Sequence, residues 1–100
     1  MAGKPFVTET RTFEKKGEAR DFYKEILNRY SVGDVVNAAD EADLRALLKH
    51  HTEYQVKVGV GIARIEVMAN LHGTQSFKLV RIDGSQDDFS YIHCITPKKD

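Results

Sequence analysis

Apolar side chains at Ala19, Phe22, Tyr23, Ile26, Leu27 and Tyr30 recur at intervals of three and four residues, which places them on one side of an α-helix predicted over Gly17–Tyr30. Arg20, Asp21, Lys24, Glu25, Asn28 and Arg29 fill the other side, and Ser31-Val32-Gly33 ends the helix at a residue free to take the left-handed turn. A second helix is predicted over about Glu41–His50, opened by Asp40 with Asp43 in the capping-box position. Its buried stripe is Leu44, Leu47 and Leu48, too narrow to hold a helix without a partner surface. Beyond Lys57 the period falls to two. Ile65, Val67 and Ala69 alternate with Arg64, Glu66 and Met68; Phe77 and Leu79 alternate with Lys78 and Val80; and Phe89, Tyr91, His93 and Ile95 form a third run. A glycine-containing loop over 70–75 and the turn Asp83-Gly84-Ser85 join these runs as hairpins. A Thr-rich alternation over Phe6–Phe13 adds a fourth strand at an edge. The predicted order β-α-α-β-β-β is an α+β domain, two helices packed on one face of a three- to four-stranded, mainly antiparallel sheet.

Composition narrows the class without naming a function. At 100 residues the chain is expected to be a single domain, with a core over about 6–95 and a frayed tail over 96–100. Hydrophobic residues at 41% and charged ones at 30% exclude a collagen, a low-complexity chain and an apolar membrane span. The lone Cys94 forms no internal disulfide and no zinc or redox pair, and no apolar run follows the N-terminus. The chain is therefore expected in the cytoplasm, away from membranes and without a cofactor.

Fifteen cations balance fifteen carboxylates overall, but the balance is uneven along the chain. Lys57, Arg64, Lys78 and Arg81 stand against only Glu66 over 57–82. If Lys57, Arg64 and Lys78 project from the sheet face away from the helices, with Tyr54 or Tyr91 stacking on a base, that face holds RNA by backbone contact and stacking. With no net field, such binding is modest and salt-sensitive.

Other constellations have simpler structural explanations. Lys57-Val58-Gly59-Val60-Gly61 resembles a phosphate loop, but Arg64 stands where a third glycine is needed and a strand follows, so the glycines are expected to permit a bulge or close packing by Phe or Tyr. Adjacent His50 and His51 lack the i, i+4 spacing of a shared metal ion, and His72 and His93 add no ligand pattern, so no metal is expected. Neighbouring His93 and Cys94 would point to opposite faces of a strand, leaving Cys94 a small buried hydrophobe. Asp83, Asp87 and Asp88 are explained as turn residues. Arg81 shares a strand face with Phe77 and Leu79, and is expected to pair with Asp83 or Asp88 as a structural ion pair. No nucleophile, base and orienting group stand at motif spacing; a pocket holding His72 or His93 against Asp87 would reopen a hydrolytic reading.

Four blocks then occur in one order: Glu18–Tyr30, Asp43–His51, Lys57–Ile62, and Phe77–Ser85 continued by Asp88-Phe89-Ser90-Tyr91 and Cys94-Ile95. Together, over about 13–95, they resemble the DeCL domain, named for "defective chloroplasts and leaves", a domain of unknown function. Thr52 stands where the family often has proline, and His93 where it more often has lysine. The resemblance implies contexts of ribosomal RNA maturation in plastids and of the largest subunit of a plant-specific RNA polymerase. It also implies a small stand-alone bacterial form, which this chain looks like. The expectation is a non-catalytic module associated with RNA or a ribonucleoprotein. The alternative is a protein-interaction domain docking a larger assembly through exposed aromatics such as Tyr23, Tyr30 and Tyr54.

Overall fold

The computed structural model describes residues 5–70 and 73–96. His72 and most of the expected tail, 97–100, therefore lie outside the described residues. The first amphipathic run forms α1 (Lys16–Asn28). The leucine stripe forms α2 (Ala38–Leu48), and the alternating runs form β3 (Ile62–Ala69) and β4 (Gln75–Arg81). The α+β class is as expected; the boundaries and two of the elements are not.

The Thr-rich start is not an edge strand of the main sheet. It folds on itself as a hairpin of β1 (Phe6–Val7) and β2 (Thr12–Phe13), with Phe6 opposite Phe13. Thr8 explains this: its Oγ1 accepts from the amide of Arg11 at 3.0 Å while its own amide donates to the Arg11 carbonyl at 2.8 Å, closing a tight turn. Arg11 then lies over the Phe22 ring at 4.2 Å and pairs with Asp43 at 3.2 Å, which fastens the hairpin to both long helices.

The second helix begins earlier than its expected cap. Asn37, not Asp40, is the N-cap, its side chain accepting from the Asp40 amide at 2.8 Å. Asp40 is instead buried in the first turn, where Tyr30 donates to it at 2.6 Å and Arg29 at 3.0 Å.

The main sheet has the order β3-β4-β5, all antiparallel, with β5 only Gln86–Phe89. The predicted third strand breaks at Ser90, whose hydroxyl accepts from the His93 amide at 3.3 Å and caps α4 (Tyr91–Ile95). Cys94 and Ile95 on α4 are both buried. A further short helix, α3 (Tyr54–Val58), lies between α2 and β3. On the other side of β3, residues 33–36 add hydrogen bonds from Val36 to Ile65 and from Val67 to Asp34.

The core sits between the sheet and the helices. Ile65, Val67, Phe77, Leu79 and Phe89 meet Tyr23, Ile26, Leu44, Leu47 and Leu48, all almost fully buried. The short α4 packs against both α1 and α2, so three helices rather than two contribute to this layer. The other sheet face carries Arg64, Glu66 and Lys78. Among the described residues no helix is long and apolar enough to cross a membrane.

Candidate functional site

The cluster with the most directed contacts lies where α3, β4 and β5 meet. Arg81, at the end of β4, is largely shielded from solvent. Its Nε donates to the Lys57 carbonyl at 2.9 Å and its Nη2 to the Val56 carbonyl at 3.3 Å, satisfying acceptors that the end of α3 leaves open. The same guanidinium pairs with Asp87 at 3.2 Å and donates to Ser85 Oγ at 3.2 Å. Asp87, rather than the expected Asp83 or Asp88, is its carboxylate. Strand alternation supplies the reason: Asp87 lies opposite Leu79, on Arg81's face, whereas Asp88 lies opposite Lys78 on the other. Asp83 turns back to accept from Ser85, from Oγ at 2.6 Å and from the amide at 2.9 Å.

Lys57 completes the cluster, its Nζ lying 3.1 Å from Asp87, 3.0 Å from the Asp88 carboxylate and 3.1 Å from the Asp88 carbonyl. That last bond also occupies a carbonyl on the outer edge of β5, the exposed margin of the sheet. Burial alone would raise the Asp87 carboxyl, but its bonds to Lys57 and to Asp88 outweigh this and hold it below the usual carboxylate range.

This cluster fixes the double-glycine turn. Gly59 has φ +55°, and a Cβ there would come within 3.0 Å of both Cδ and Nε of Arg81. Gly61 has φ +120°, with Ile82 Cδ1 at 3.5 Å from the same hypothetical position. The glycines thus serve close packing, by Arg81 and Ile82 rather than by an aromatic ring. The turn holds Val56, Val60 and Ile82 outward, 67%, 58% and 66% exposed.

The predicted RNA-binding set does not assemble. Arg64 and Lys78 do share the sheet face turned away from the core, but both bind Glu66, Lys78 at 3.2 Å. Lys57 lies on a helix and is committed to Asp87 and Asp88. Tyr91 packs edge-on to Phe77 on the core side, and Tyr54 packs against the core from α3. No tyrosine therefore stands over the Arg64–Lys78 face. Of the aromatics expected to be exposed, Tyr23 is fully buried, burial pushing its phenol up to about 12, and Tyr30 is bonded to Asp40.

A cleft of about 470 Å³ opens beside this cluster, lined by His51, Glu53, Lys57, Asp88, Ser90 and His93 among others. The His51 and His93 rings stack with centroids 4.4 Å apart. Nothing in the spacing announces this pair, because the two residues meet only when α4 folds back on the end of α2. The cleft brings His93 towards Asp88 and not Asp87. Ser90 Oγ is occupied as the cap of α4, and Thr52 Oγ1, 2.9 Å from His93 Nε2, is exposed. No base-and-nucleophile arrangement with an orienting carboxylate results. Among the described residues no three His, Cys, Asp or Glu side chains converge as a metal site.

Comparison with known proteins places this geometry in context. The profile of a family described as "protein of unknown function (DUF3223)" matches residues 24–95. A DNA-directed RNA polymerase IV subunit 1 of Arabidopsis thaliana is 37% identical over 73 residues, covering 72% of this chain but only 5% of that relative's length. A solution NMR structure of an uncharacterized protein from Rhodospirillum rubrum superposes with a TM-score of 0.86 at 39% identity, covering 92% of this chain and 88% of that one.

Proposed function

The chain belongs to the DUF3223 family of unknown function, and from that premise we propose that it is a DeCL-type, non-catalytic docking module that binds a larger protein assembly in a transcription- or ribonucleoprotein-linked setting. The observation that carries this reading is the exposure of three aliphatic side chains, Val56, Val60 and Ile82, at and beside a turn against which Arg81 packs. Complete burial of such a side chain is worth roughly 1.5–3 kcal/mol, and a preformed turn lowers the ordering cost of binding. The setting is supported by the polymerase relative, in which the similar region is a small part of a long chain. The match of 92% of this chain to 88% of the Rhodospirillum rubrum protein supports a unit that folds without the rest of a polymerase subunit.

Direct RNA binding is the second reading, favoured by the two cations on one sheet face, Arg64 and Lys78. Site-specific photo-crosslinking in cells separates the two. A photoreactive residue in place of Val60 is expected to capture protein, and one in place of Arg64 to capture nothing above background. RNA captured at position 64 with no protein at position 60 would overturn the docking reading.

A further inference from the structure

Two side-chain contacts join the segment after α2 to the helix α4: the His51–His93 ring pair and the bond between Thr52 and His93. His51 is 8% exposed and its Nδ1 accepts the Glu53 amide at 2.9 Å. In the neutral ring the proton therefore sits on Nε2. His93 faces it at 4.4 Å with a 41° tilt and is tied at Nε2 to Thr52 Oγ1. Behind the stack lie Cys94 and Ile95, both 1% exposed, which α4 lowers into the core.

From this geometry we propose that the His51–His93 stack is a pH-sensitive latch: protonation of His51 opens it, lifts α4 and exposes Cys94. The added proton has to go to Nδ1, where a hydrogen-bond acceptor becomes a donor facing the donor amide of Glu53. The new charge also meets Lys57 from α3 and the His93 ring from α4. The opposing carboxylates are Glu53, on the same segment, and Asp88 from β5, which is already bound to Lys57. Burial, then His93, then Lys57 hold His51 below the usual histidine range, and these effects exceed those of Glu53 and Asp88. The linkage has a definite sign. A histidine whose folded-state value is lowered stabilises the closed form above its open-state value, and that contribution is lost as pH falls below about 6.5 towards the folded-state value.

Cys94 reports the state of the latch because it is the only cysteine in the chain. The rate of its modification by 4,4′-dithiodipyridine, divided by the rate for a short unfolded cysteine peptide under the same conditions, measures opening. On going from about pH 7.5 to about pH 5 this normalised rate is expected to rise, with about thirtyfold as the ceiling for one histidine. His51→Asn keeps a side-chain acceptor for the Glu53 amide but cannot charge, and it should flatten the profile. A flat wild-type profile, or an undiminished rise in His51→Asn, would overturn the latch. The wild-type ring nitrogens, followed by NMR over the same range, give an answer that does not depend on the variant folding. His51 Nδ1 is expected to protonate in step with Cys94 exposure, and protonation with Cys94 still protected would overturn the proposal.

Discussion

Replacing Gly59 with alanine tests the packing of Arg81 against the turn. Its backbone stands at φ 55°, ψ −123°, a conformation that L side chains rarely adopt and that costs on the order of 1–3 kcal/mol. The added methyl would also stand 3.0 Å from Cδ and Nε of Arg81. Arg81 cannot yield cheaply, since its guanidinium bonds two α3 carbonyls, Ser85 and Asp87. Displacing it loses hydrogen bonds worth about 0.5–1.5 kcal/mol each, and more where the charge is engaged. Taken together, Gly59→Ala should cost about 2–5 kcal/mol in urea unfolding. Gly33→Ala is the control, because Gly33 also has a positive φ of 95° but nothing lies within 4 Å of its hypothetical Cβ. Its loss should be smaller by about 1 kcal/mol or more. Equal losses for the two variants, or a Gly59→Ala loss below about 0.5 kcal/mol, would refute the claim that Arg81 packs against the turn.

Leu47 is completely buried, and Leu47→Ala should cost about 2–5 kcal/mol in the same assay; a loss within about 0.5 kcal/mol would place it on the surface. Asn37→Ala removes the observed cap of α2 and should cost about 1 kcal/mol, whereas a neutral result would return the cap to Asp40. Because the carboxyls of Asp87 and Glu66 are held below their usual range, their stabilising contribution is present above about pH 4 and is lost as pH falls through the folded-state values. The urea midpoint should therefore drop below about pH 4, and Asp87→Asn should make that drop shallower.

The long elements were legible because each has a sustained period. Ala19 to Tyr30 repeats over three helical turns, and Ile65–Val67 and Phe77–Leu79 alternate against charged neighbours. The short helices were not. Tyr54–Val58 is five residues with two β-branched valines, too brief for a period, and its helical turn is fixed by Arg81 from a strand far along the chain. Phe89, Tyr91, His93 and Ile95 alternate as a strand would, yet the segment is a helix capped by the Ser90 hydroxyl, with Cys94 and Ile95 both buried. Arg81 ends the strand whose alternation places it with Phe77 and Leu79. Its carboxylate partner depended on the register of β5 against β4, which residue spacing alone does not determine. The basic character of 57–82 was visible, but not which of its cations Glu66, Asp87 and Asp88 would each engage.

Docking through the double-glycine turn is tested most directly by comparing the proteins retained by the immobilised chain and by its Val56→Ser, Val60→Ser, Ile82→Ser variant. Both are exposed to ribonuclease-treated extract of the cells that make the protein, after amide spectra confirm that the variant is folded. The wild-type chain is expected to hold a reproducible set of proteins that the variant loses. Retention of the same set by both chains, or disappearance of the set after ribonuclease treatment alone, would contradict docking at this surface.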